Sequence, residues 1–193
     1  MTNLARTLAL ALVLTACGGS SDDSGGAATD TAGSESAAAG YGLPNERRLD
    51  TGLVTGGHPS PAALEAAAAD GVTTVISLQT TDEAGVAEEA AQAEALGLAY
   101  VNIPVAGAEG VTEENARALD EALTGLDPAQ TIVHCASGNR AGAMLALRAF
   151  HVEGLPRTEA LALGRSAGLS GLADAVTAHF EAHCADLPAD ARC

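Results

Sequence analysis

From residue 48 to the end of the chain, short β-branched apolar runs alternate with longer segments rich in Ala, Leu and Glu, with Gly, Pro, Ser and Thr at the breaks. Residues 48–55 read as an extended stretch ending at Gly56-Gly57-His58-Pro59. Ser60 then caps a helix that has Pro61 in its first turn and runs to about Asp70, before Gly71. Val72-Thr73-Thr74-Val75-Ile76-Ser77-Leu78 is β-branched and apolar, the pattern of a buried strand. A polar loop, 79–85, leads to an Ala/Glu helix over 86–96 that stops at Gly97. Residues 99–105 read as a strand through Pro104, and Thr112 caps a helix reaching about Leu123. Thr131-Ile132-Val133-His134 is a short apolar strand. Residues 141–150 form a helical pattern whose one charge is Arg148, so this helix is expected to be buried on most sides. Two more helices are expected, capped by Thr158 and Ser170. Strands separated by helices predict an α/β fold with a mostly parallel central sheet flanked by helices. The chain has no internal repeat, dinucleotide fingerprint or Walker loop.

The first 40 residues follow another pattern. Arg6, an apolar run over 8–13 too short to span a bilayer, and small residues up to Cys17 read as a secretory signal. Leu14-Thr15-Ala16-Cys17 resembles the lipobox of bacterial lipoproteins, which makes residues 1–16 the signal peptide and Cys17 the lipidated residue. Ordinary cleavage that leaves Cys17 without a role is the alternative. Residues 17–40, mostly Gly, Ser, Ala and Thr with four acids, cannot bury enough surface to fold and read as a flexible acidic tether to a domain over 41–193. The expected location is outside the cytoplasm, lipid-anchored to a bacterial membrane on its periplasmic or cell-surface side.

Composition narrows the function. Hydrophobic residues make up 47% of the chain but aromatic residues only 2%, so the core must be built from Ala, Leu and Val. Nine basic residues, all Arg, face 25 acids for a net charge of −16, which excludes a nucleic-acid partner. A phosphate-like ligand would have to be held locally, by backbone N–H groups and one or two Arg side chains.

The chemistry lies between the fourth strand and the buried helix, in His134-Cys135-Ala136-Ser137-Gly138-Asn139-Arg140. Cys135 leaves the carboxyl end of a strand, where open α/β sheets bind ligands. Loop N–H groups and a helix N-terminus converge on such a position and favour a thiolate and a bound anion. Gly138 permits a backbone conformation that other residues resist, and Arg140 can grip an oxyanion with paired donors. A buried structural cysteine is the alternative, made less attractive by the company of Gly and Arg.

This loop resembles those of cysteine-dependent phosphatases and rhodanese sulfurtransferases. Over residues 48–170 the chain is similar to the phosphatase-like domain named after the beta-lactamase hydrolase-like proteins. The similarity rests on Thr55-Gly56-Gly57-His58-Pro59-Ser60, on 71–78, on 93–105, which ends Asn102-Ile103-Pro104-Val105, and on 134–140, in that order and spacing. It implies Cys135 as nucleophile, Arg140 as oxyanion-binding residue, and Ala136, Ser137, Gly138 and Asn139 as the oxyanion loop.

Two departures keep the alternatives open. Phosphatase loops of this type place five residues between Cys and Arg; here there are four, as in sulfurtransferases. Dual-specificity phosphatases often carry an acid just after the Ile-Pro-Val strand, whereas Val105 is followed by Ala106-Gly107. A poor leaving group needs such an acid. Glu109 is the nearest candidate, with Asp82 and Glu83 behind it, while sulfur transfer between thiols needs none.

The leading expectation is therefore a cysteine-nucleophile hydrolase of a small phosphoester or related oxyanion, working through a covalent Cys135 intermediate. The alternatives are a persulfide-carrying sulfurtransferase with a thiol substrate, and a non-catalytic anion-binding lipoprotein. No cofactor is expected. His58 and His134 are candidate site-lining residues, and Glu65, Glu88 and Glu89 read as ordinary amphipathic helix faces. His179, His183 and Cys184 share a helix at spacings a metal could use, but histidines four apart on an exposed helix are ordinarily just solvated, and no metal site is expected. In an oxidising compartment Cys184 and Cys193 are expected to pair across the turn at Pro188.

Overall fold

The computed structural model describes residues 40–185 and Cys193. The signal segment 1–16, the lipidation site Cys17 and residues 17–39 of the tether lie outside them.

A five-stranded sheet is ordered β1-β2-β5-β3-β4, from β1 (Arg47–Arg48), β2 (Val54–Gly56), β3 (Thr74–Ser77), β4 (Ala99–Asn102) and β5 (Thr131–His134). All neighbours are parallel except β1, which pairs antiparallel with β2. The α/β fold with a mostly parallel sheet is thus the one the residue pattern predicts. At its first element the expectation needs correcting, because 48–55 is a tight hairpin and not one extended run. Gly52, at φ 88°, turns the chain, and its N–H bonds Leu49 O at 2.8 Å.

Among the described residues six α-helices flank the sheet: α1 (Pro61–Ala69), α2 (Val86–Ala95), α3 (Glu113–Leu123), α4 (Asn139–His151), α5 (Arg157–Ser166) and α6 (Ala173–Ala185). The expected caps hold for α1, where Ser60 accepts from Ala63 N, and for α3, where Thr112 accepts from Asn115 N. Two expected caps do not. Helix α5 begins after Pro156, leaving Thr158 exposed inside its first turn. The approach to α6 is held by a side chain from elsewhere: Asn139 Oδ1 accepts from Ser170 N at 2.8 Å and Leu172 N at 3.2 Å.

Strand alternation sorts the core into two layers. Val54, Val75 and Ile132 pack with Leu64, Ala67 and Ala93 of α1 and α2. Ile76, Val133 and Cys135 pack on the other face with Ala141, Met144, Leu147, Phe150 and Phe180. Each fully buried Leu, Ile or Val stabilises by about 1.5–3 kcal/mol. Helix α4 has nine buried residues, all within 141–150, as the single charge of that segment predicted. It approaches α5 closely: a Cβ on Gly142 would lie 2.6 Å from Gly164 O and 2.1 Å from Leu169 N. Cys184 and Cys193 are joined by a disulfide, and Cys135 is a free thiol.

Candidate active site

Sheet parity separates two neighbouring residues at the end of β5. His134 falls on the α2 side and Cys135 on the α4 side, 1% exposed. The loop after Cys135 is tied down through its carbonyls. Ala136 O accepts from His58 N, Ser137 O from Asn45 Nδ2, and Gly138 O from Gly142 N. Gly138 takes φ 89°, a left-handed conformation that suits glycine, and its N–H donates to Cys135 Sγ at 3.1 Å. The N–H groups of Ala136, Ser137, Asn139 and Arg140 meet no acceptor among the described residues. Unpaired N–H groups between a strand end and a helix start form a concavity suited to an anion.

Arg140 is braced from three sides. Its Nη1 donates to Leu78 O at 3.2 Å, Val105 O at 2.9 Å and Glu83 Oε1 at 2.5 Å, while Nη2 donates to Glu83 Oε2 at 2.7 Å. The ends of β3 and of the 99–105 segment thus set the guanidinium, leaving Nε–H and the second Nη2 hydrogen free to bind oxygen. The Glu83 hydrogen bonds, and after them the charge of Cys135, raise the pKa of Arg140. Glu83 is held at about 2, chiefly by Arg140, with burial opposing. Glu83 thus braces the Arg140 guanidinium through both of its carboxylate oxygens. Asp82 and Glu109 are both exposed; Glu109 stands on the turn that starts at Val105, whose carbonyl touches Arg140.

The side-chain oxygen of Asn139 is turned away from the loop, accepting from the N–H groups that lead into α6. His58 and His134 are brought together by a residue that the sequence pattern assigned to an exposed face. Glu89 is 3% exposed. Its Oε1 lies 2.6 Å from Nε2 of the fully buried His134, outside hydrogen-bond alignment, and its Oε2 lies 3.5 Å from His58 Nδ1. His58 Nδ1 also lies 2.7 Å from Gln79 Oε1, and Tyr100 donates to Glu89 Oε2 at 3.4 Å. The phenol of Tyr100 is pushed up, first by burial. The signal for Glu89 was its place on the stripe Val86, Glu89, Ala93, which faces the sheet. Beside the loop, a recess of about 170 Å³ is lined in part by Arg47, Arg165, Asn45 and Ser137. Two cations in so acidic a chain favour an anionic occupant there.

No protein-family model matches the chain, and no curated protein sequence does. Solved structures do. A DUF442 protein from Shewanella putrefaciens is 21% identical, with a TM-score of 0.56 over 77% of this chain and 94% of its own. The kinase associated phosphatase, solved with its catalytic-site cysteine changed to serine, is 15% identical, with a TM-score of 0.57 over 76% of this chain and 98% of its own. TpbA of P. aeruginosa, solved in complex with phosphotyrosine, is 18% identical, with a TM-score of 0.53 over 70% and 82%. At these identities the likeness establishes the fold, which is that of the cysteine phosphatases.

Proposed function

We propose that the chain is a cysteine-dependent phosphatase that hydrolyses a small phosphate ester, exported and held to a membrane through Cys17. The observation that carries the reading is the pairing of Cys135 with a braced Arg140 across a loop of unpaired N–H groups. Two of the proteins that share the fold are, by description, a phosphatase with a catalytic cysteine and a protein that binds phosphotyrosine. In the reaction the Cys135 thiolate attacks phosphorus, an S–P bond forms and the P–O ester bond breaks. Arg140 and the loop N–H groups hold the phosphoryl oxygens, whose charge they meet without rearranging. Glu109 gives its proton to the departing alkoxide and then takes one from the water that cleaves the S–P bond, releasing phosphate and the thiolate.

Loop length favours one other reading. With four residues between Cys135 and Arg140, the nest is small enough for a terminal persulfide sulfur, which makes sulfur transfer to a thiol or cyanide the alternative. Assays with aryl phosphates, and separately with thiosulfate and cyanide, distinguish the two. Intact mass after trapping reads a phosphoryl or a sulfur adduct on Cys135. Cys135→Ser is expected to abolish turnover with little change in melting temperature, and an active variant would end the nucleophile proposal. Glu109→Gln should slow alkyl phosphates about 10²–10⁴-fold and activated aryl phosphates far less, since only the former need a proton donor. Phosphate binding with neither activity would instead mark an anion-binding protein.

A further inference from the structure

Away from the loop, three helices bring metal-ligating side chains together. Glu113 opens α3, His151 closes α4, and His183 lies in the last turns of α6. One ligand atom from each lies within 4.8 Å of the other two. The sequence reading grouped His179, His183 and Cys184 on one helix; the fold instead removes Cys184 into a disulfide and supplies Glu113 and His151 from elsewhere.

The arrangement is built from both sides. The His151 side chain is 2% exposed. Its Nε2 lies 2.7 Å from Nε2 of His179, and its Nδ1 faces Glu113 Oε2 at 3.5 Å without forming a hydrogen bond. If His151 donates its Nε2 proton to His179, Nδ1 is left as a bare lone pair beside a carboxylate oxygen. A lone pair on a buried ring facing the oxygen of a half-exposed carboxylate calls for a cation between them. The other oxygen, Glu113 Oε1, is held by Arg117 at 2.7 and 2.8 Å, which fixes the carboxylate with Oε2 inward. Partners of this kind, one on the far nitrogen of a histidine and one on the far oxygen of a carboxylate, are those that orient metal ligands.

We propose that Glu113, His151 and His183 form a binding site for a divalent transition metal, with His179 and Arg117 positioning two of the ligands. Two imidazole nitrogens and one carboxylate oxygen suit Zn²⁺ best, with a fourth position left to water. The ion would fasten α6, the last helix, to α3 and α4. A second group, His58, Glu89 and His134, also meets within 4.8 Å, but His58 Nδ1 is engaged by Gln79 and His134 is sealed from solvent.

The test uses the full chain in a Cys135→Ser background, so that the loop thiol takes no metal, stripped with chelator and titrated with Zn²⁺ against a chromophoric competitor. One Zn²⁺ per chain is expected. Glu113→Gln and His183→Ala, both at partly exposed positions, should weaken it at least tenfold, and His179→Ala by about 10–100-fold. Zn²⁺ should raise the melting temperature of the parent and not of His183→Ala. Co²⁺ in place of Zn²⁺ should give the visible bands of a four- or five-coordinate N/O site. Unchanged affinity in His183→Ala, or loss of the bound ion in His58→Ala, overturns the assignment.

Discussion

Arg140 reaches the loop already committed to four hydrogen bonds, and the strongest of these run to one carboxylate. That makes Glu83 the residue whose removal should be felt first. Its pKa falls from 4.5 to about 2, so ionised Glu83 favours the folded state. A depressed carboxylate contributes its stability in full above pH 4.5, and loses it as pH falls from about 4.5 towards 2. Equilibrium unfolding of Glu83→Gln should therefore show a shallower loss of stability across that window than the parent, and equal slopes would refute the pairing. The same variant frees the guanidinium to swing, so its KM for phosphate esters should rise while the Cys135 adduct still forms. Arg140→Lys loses the planar fork and should cost phosphatase activity heavily. At this scale Cys135 and Arg140 were legible because they belong to one local loop. Glu83 and Glu89 were legible only as acids, because their roles depend on partners 57 and 45 positions away in the chain, at Arg140 and His134.

Helices and strands were read from the pattern nearly in full, since propensity and burial agree along most of them. The errors fall where tertiary contact replaces local chemistry. Strand β4 stops at Asn102, short of the expected 105, because the regular spacing breaks there: Ile103 N donates to Ser77 O but Val105 N to Leu78 O, and the Asn102 side chain takes Gln79 O, the next acceptor. Ser170 does not cap α6 with its side chain, because Asn139 reaches across from α4 to take the N–H groups there. The close approach of α4 to α5 left no trace in the apolar pattern, only two glycines, Gly142 and Gly164, in different helices. Gly to Ala inside an exposed helix ordinarily stabilises. Gly142→Ala should do the reverse, by about 1–3 kcal/mol or more, because its Cβ would collide with the backbone of Leu169 and Gly164. Chemical denaturation measures it, and a neutral result would mean that α5 can slide aside. The Cys184–Cys193 bridge predicts one reactive thiol when the domain over 41–193 is unfolded without reduction and titrated, with three indicating no bridge.

For the molecule as a whole, the acidic composition gave no hint that Arg47, Arg140 and Arg165 gather near one loop. Nor did it show the order of strands, which follows from which apolar faces meet. Strand β5 occupies the middle of the sheet, bonded on one side to β2 and on the other to β3. Residues at such a position give up their amide protons to solvent only when the sheet opens as a unit, whereas an outer strand can fray alone. Amides of 131–134 should accordingly exchange deuterium hours to days later than those of Arg47 and Arg48, and a uniform rate across the sheet would contradict this. Cys135, the proposed nucleophile, thus hangs from the last part of the molecule to come apart, and a chain with frayed margins would still hold its thiol in place.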